Sequence, residues 1–297
     1  MNIKPITILL TAAIALSGSV QAKVLETGAN GQLYWGDSYA SGNNGTAWGL
    51  AANAYNENST AWGVFTRAEG LNSTAWGQYA TASGEYSTAW GYESKALENG
   101  STAWGYRSTA QADFSTAWGQ GKAIGKYSTA WGDRAQASGE DSTAWGRSSE
   151  ASGDRSTAWA GGDAEGVSST SWAEGHAQGS RSTSGGFATR ALATNSISLG
   201  TYSWVQGKDS IALGNYVNVT GVASVAIGLG QVYGIVVDPS DLPELADDRT
   251  FAVMGGKMKI CNDDNVCIDD LQSELQSVKA LNAELLQRLV ALENKLN

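Results

Sequence analysis

The chain is poor in most of what enzymes use. Its 297 residues include one histidine (His176), two cysteines (Cys261, Cys267) and three prolines, and only 16% are charged. A single histidine leaves one location for a Ser-His-Asp triad, and "AEGHAQG" around it reads as an ordinary outer-strand position. Two cysteines with no histidine nearby make a poor zinc site. Acidic residues outnumber basic ones, 29 to 19, for a net charge of −10, which argues against a nucleic-acid partner. "GQGKAIG" lacks the strand-before-helix context of a phosphate loop. "GGDAEG" (161–166) does not match a calcium-binding nonapeptide. Asp263, Asp264 and Asn265 lack a full calcium-loop pattern and read as the tip of a turn. Asp269-Asp270 reads as a helix N-terminal cap. No catalytic residue, cofactor or metal is therefore expected, and an enzyme is disfavoured.

Long apolar runs are also scarce. The exception is N-terminal, where Lys4 precedes the run Ile6 to Leu16 and Val20-Gln21-Ala22 follows it. About 11 apolar residues are too few to span a bilayer, so residues 1–22 are expected to be a secretory signal, cleaved after Ala22. No other segment is expected to span a membrane as a helix. Export makes the two cysteines legible: Cys261 and Cys267, flanking "NDDNV", read as a small-loop disulfide.

What the chain has in abundance is glycine, 37 residues, and tryptophan, 12. The tryptophans keep time. Eleven of them fall at Trp35, Trp48, Trp62, Trp76, Trp90, Trp104, Trp118, Trp131, Trp145, Trp159 and Trp172, and the beat continues at Gly185, Leu199, Leu213 and Ile227. Successive positions differ by 14, or in the shorter steps by 13. Two helical heptads would also give the longer step, but Gly, Ser and Thr at fixed places are poor helix-interior residues. A one-residue deletion would also turn a helix face by about 100°. Each repeat divides into Ser-Thr-Ala-Trp-Gly, as at 87–91, and an Ala-x-Ala-x-Gly half, as at 80–84 and 135–139. Both halves alternate with the period of a strand, and Gly, Asn, Asp, Glu and Tyr fill the corners.

The expected fold is thus an all-β parallel solenoid over residues 31–230, about 15 coils long, preceded by a segment 23–30. At ~4.8 Å per coil it would be about 70 Å long. Thr and Trp of "STAWG" share one strand face and point out; Ser, Ala and Gly share the other and point in. So narrow an interior buries little apolar area per coil, which argues for lateral association of chains.

Residues 231–268 break the beat, with Pro239 and Pro243 in a loop and short strands after it, and read as a neck. Residues 269–297 form the one convincing helix. Leu271, Val278, Leu285 and Leu292 occupy d positions; Leu275, Asn282, Leu289 and Leu296 occupy a positions, the seam of a coiled coil. Asn282 alone leans toward a dimer. "RLVALE" resembles the short Arg-h-x-x-h-Glu pattern of parallel trimeric coiled coils, with Arg288 at g and Glu293 at e, and favours three chains.

The last repeats carry a family resemblance. "NSISLG" (195–200), "DSIALG" (209–214) and "ASVAIG" (223–228) resemble the Ser-Val-Ala-Ile-Gly head repeats of YadA-like trimeric autotransporter adhesins. The "STAWG" repeats look like the same motif with Thr for Val and Trp for Ile. The resemblance implies a left-handed parallel β-roll, a homotrimer, a neck and a coiled-coil stalk, displayed on the outer surface of a bacterium or secreted. Those adhesins end in a membrane β-barrel; no run of barrel-like strands follows the coiled coil here, so release, or retention by a partner, is the expectation.

Three placements are open for Trp48, Trp62, Trp76, Trp90, Trp104, Trp118, Trp131, Trp145 and Trp159. They line a trimer interface, they form an exposed ladder that binds carbohydrate or a crystalline surface, or they lie inside the roll. Aliphatic residues take over the slot at Leu199, Leu213 and Ile227, which suits a buried apolar position better than a flat sugar platform. The corner tyrosines Tyr79, Tyr86, Tyr92, Tyr106 and Tyr127 are further candidates for surface contacts. At Gly185-Gly186 a thinning, a kink or a junction is expected.

Overall fold

The computed structural model describes residues 25–35, 37–230, 242–255, 260–261, 267–268 and 271–296. Thirty short strands form one continuous sheet that winds into a parallel solenoid of about 14 turns. The coil from Ser73 to Tyr86 shows why. Ser73, Ala75, Ala80 and Ala82 are fully buried, Thr74 and Thr81 half-buried, and Trp76, Gln78 and Tyr79 exposed. This is the predicted division, with small residues inside and Thr and Trp outside. Each strand pairs with its equivalent one coil away: Thr74 with Thr88, Ala75 with Ala89, Trp76 with Trp90. The shorter steps keep this register, as at Trp118 with Trp131.

Two corners per coil place a residue in the left-handed region. The residue before Ser has φ of 54° at Asn58 and Asn72, 57° at Tyr86 and 55° at Arg155; the other corner has 54° at Phe65 and 58° at Tyr79. Asparagine tolerates this region and also bonds along the stack. Asn44 Nδ2 donates to Asn58 Oδ1 at 3.1 Å, and Asn58 Nδ2 to Asn72 Oδ1 at 3.0 Å. The glycine of "STAWG" is a stronger requirement. Gly77 has φ +125°, and a Cβ there would lie 2.2 Å from the carbonyl oxygen of Gly91 on the next coil.

Inside, the core is a column of alanines from Ala40 to Ala164, with buried serines between them. The serine hydroxyls are not equivalent. Ser101 Oγ donates to the Glu98 carbonyl at 2.6 Å, whereas the buried Ser87 Oγ has no partner. An unpaired buried hydroxyl costs free energy, and a paired one contributes about 1 kcal/mol. Ser87→Ala is therefore expected to stabilise the chain by about 1 kcal/mol and Ser101→Ala to destabilise it by a similar amount. Urea unfolding of the two variants measures the opposite signs.

Toward the C-terminal end the core enlarges. Val205, Val217, Val219 and Leu245 replace the alanines, and the strands Ile197–Val205 and Ile211–Val219 each run through the second corner, where Tyr202 and Tyr216 keep φ of 51° and 54°. The roll does not stop at residue 230. Glu244–Leu245 pairs in parallel with Asn218 and Val219, and Phe251–Met254 with Val225 to Gly228, adding one more coil. These residues were expected in the neck, because residues 231–241 interrupt the beat. "TFAVM" (250–254) nevertheless aligns with "SVAIG" (224–228) position for position.

At the other end, Leu25–Thr27 turns back antiparallel onto Leu33–Trp35. Ile260–Cys261 and Cys267–Ile268 form a separate antiparallel pair with Cys261 opposite Cys267. The side chains of that pair, and the expected signal segment, lie outside the described residues. Among the described residues there is one helix, α1 (Leu271–Leu296). Every side chain described on it, 275 to 293, is exposed, including Leu275, Val278, Leu285, Leu289 and Leu292; those of Leu271 and Leu296 lie outside the described residues. Arg288 Nη2 donates to Glu284 Oε1 at 2.7 Å within the helix. Among the described residues no helix is long and apolar enough to cross a membrane.

Candidate functional site

Three features share the outside of the roll. The first is the tryptophan column. Because the register sets each Trp beside the next, the indoles from Trp48 to Trp145 stack with ring centroids 4.8–5.8 Å apart. In the middle of the column, from Trp76 to Trp118, the planes lie within 7° of parallel. Seven steps at the ~4.8 Å strand spacing make a strip of roughly 34 Å. Stacked rings turn their faces to one another and leave edges outward. Trp90 and Trp104 keep 42% and 43% of their surface exposed in the single chain. Stacking continues at Trp159–Trp172, whose rings are half-buried. The column then ends at the expected junction. Gly185 stays in register between Trp172 and Leu199, and the Trp172 ring lies over it, 2.1 Å from where a Cβ would be.

The second feature is a set of shorter aromatic stacks at the corners. Phe65 stacks on Tyr79, Tyr92 on Tyr106 and Phe114 on Tyr127, at 5.3–5.4 Å. Beside them Arg107 Nε donates to Glu93 Oε2 at 2.7 Å. The bonds from Arg107 and Tyr92 hold the Glu93 carboxyl below its ordinary pKa. Of the tyrosines named from the sequence, Tyr79, Tyr86, Tyr106 and Tyr127 are exposed and Tyr92 is half-buried.

The third feature was not expected. The short strand of each coil sends one side chain outward, and in register these form the column Lys95, Thr109, Lys122, Gln136, Glu150, Asp163, His176, Arg190, Trp204. Within it His176 Nε2 lies 3.7 Å from Asp163 Oδ2 and 3.1 Å from Glu165 Oε1. One donor atom from each of the three lies within 4.8 Å of the other two. Burial pushes the Asp163 carboxyl above the usual carboxylate range, against the pull of His176. Next along the column, the Arg190 guanidinium sits 4.4 Å over the Trp204 ring, and Trp204 Nε1 donates to the Ala188 carbonyl at 3.2 Å. A groove of about 410 Å³ runs beside the cluster, walled by Glu174, Arg190, Tyr202 and Trp204.

"AEGHAQG" lies on an outer strand, as expected, but its neighbours are not ordinary ones. Asp163 and Glu165 precede His176 and Gln178 by one of the shorter steps of the beat. Rows cut to the shorter step align them; rows cut to the longer one do not.

Compared with known families, the chain matches the model of the YadA head domain repeat at residues 40–64, 68–94, 96–121, 123–149, 137–158, 191–216 and 206–230, together just over half its length. No curated protein matches it. The family is one of adhesin-like surface proteins, and its solenoid is a structural fold rather than an enzymatic one. The matched segments, the parallel register and the inward alanines agree: this chain belongs to the YadA head domain repeat family.

Proposed function

We propose that the chain is the head of a homotrimeric cell-surface or secreted adhesin, with the tryptophan column buried between protomers. The observation that carries this reading is the stack itself. Ring faces are already covered by neighbouring rings, so the column offers a protein surface an apolar ridge of indole edges. A sugar would need an open face. A strip of this length is also more apolar surface than a lone soluble chain ordinarily exposes. The exposed seam of α1 points the same way, since a heptad helix of this kind is stable in water only against partner helices. Attachment by such a head works through repetition: three chains present three copies of each weak contact made by the corner side chains. Cys261 and Cys267, opposed in an antiparallel pair, are proposed to close a disulfide below the head once the chain is exported.

Light scattering on the purified full chain, combined with acrylamide quenching of tryptophan fluorescence, tests this. The expected result is a mass three times that of the chain and blue-shifted, protected emission. A monomer overturns the reading. A red-shifted emission that responds to added polysaccharide turns the column into a carbohydrate-binding ladder instead.

A further inference from the structure

We propose that Asp163, Glu165 and His176 bind one divalent transition-metal ion, with zinc as the representative, and that the ion fastens two successive coils. An imidazole nitrogen with two carboxylates is a donor set of this class. Calcium fits poorly, because it takes six to eight oxygens. The spacing is close to what an ion needs. Two donors each about 2.1 Å from a tetrahedral centre lie about 3.4 Å apart. The distances from His176 Nε2 to the two carboxylates, 3.7 and 3.1 Å, bracket that value.

Two further observations point at a ligand. Asp163 Oδ1 and His176 Nε2 are shielded from solvent and make no hydrogen bond within the protein. Such atoms are ordinarily paired, and a metal ion satisfies a nitrogen lone pair and a carboxylate together. Glu165 is already oriented. Its other oxygen, Oε2, accepts a hydrogen bond from Gln178 Nε2 at 3.1 Å, the kind of outer contact that fixes a metal-ligating carboxylate. Arg190, the nearest cation in the column, is engaged with the Trp204 ring, while Glu174 adds a carboxylate to the groove. The groove gives an ion a route in, and three protein donors leave a position for water.

The ion would bridge the coil of Asp163 and Glu165 to the coil of His176. The steps of the beat on either side of Trp172 are both of the shorter kind, so the staple sits where the coils are shortest. The competing account is an ion pair, in which a protonated imidazole lies between the two carboxylates and no metal is bound.

Calorimetric titration of zinc chloride into the full chain, chelator-stripped and with its cysteines oxidised, separates the two. The expected result near neutral pH is one zinc per chain with micromolar affinity. His176→Gln and Asp163→Asn, each checked for an unchanged circular dichroism spectrum, are expected to weaken binding at least ~10-fold. Zinc at about 100 times its Kd should raise Tm by several degrees in the wild type and leave both variants unmoved. No zinc binding, or equal affinity in wild type and both variants, overturns the proposal. So does a wild-type Tm that zinc does not shift.

Discussion

Gly77→Ala is expected to destabilise the roll by about 4 kcal/mol. Two independent costs add. At φ +125° an alanine is strained, by about 1–3 kcal/mol. Its Cβ would also lie 2.2 Å from the Gly91 carbonyl oxygen and 2.9 Å from the carbonyl carbon. Both atoms belong to backbone bonded in register to the coils on either side, so neither can move alone, and overpacking adds a further ~1–3 kcal/mol. In a solenoid the damage does not stay local, because each coil is stabilised chiefly by its neighbours. Gln78→Ala, next in sequence and exposed, is the control and should stay within about 0.5 kcal/mol of wild type. Urea unfolding followed by far-UV circular dichroism measures both. An alanine tolerated at Gly77 would mean that the coils are spaced more loosely than the register implies.

Replacing both Trp90 and Trp104 by Ser is expected to abolish the proposed trimer at micromolar concentration while leaving the coil intact. Each indole keeps a little over 40% of its surface exposed in the single chain, on the order of 100 Å². Burying that area contributes about 2–3 kcal/mol at ~25 cal/mol per Å². Two such side chains per protomer, in three protomers, are far more than a weak assembly loses without dissociating. The fold should survive because the rings face outward and the alanine column behind them is untouched. Sedimentation velocity reads the mass and circular dichroism the fold. A variant that remains trimeric would place the column outside the interface.

Much of this architecture was legible in the sequence because a repeat states each rule many times. The parity of Thr and Trp against Ser and Ala in "STAWG" recurs coil after coil, and side-chain alternation along a strand carries it straight into the structure. The outward Trp and inward Ala followed directly. What was lost was lost where the count changes. The coil closed by Phe251–Met254 went unseen because nearly two steps of the beat, rather than one, separate Val225 from Phe251. The Asp163, Glu165 and His176 cluster went unseen because its members are neighbours only across one of the shorter steps. The wider interior is a change of residue in a fixed slot: Val205 and Val219 stand in register with Ala191, where earlier coils carry alanine, while the corner residues Tyr202 and Tyr216 keep their positive φ.

The coil that returns after residue 230 shows what the scaffold will accept. Val225–Leu229 is paired in parallel with the coil before it, and at Glu244 the pairing partners are those an uninterrupted repeat would have chosen. The sheet therefore reads only the residues that lie on its strands and is indifferent to how many are spent at a corner. A foreign loop spliced at the same corner of any earlier coil should be carried at a chosen height along the roll, and in threefold copy if the proposed trimer forms. The head is in this sense a graduated mast, on which new attachments can be hung without redesigning the pole.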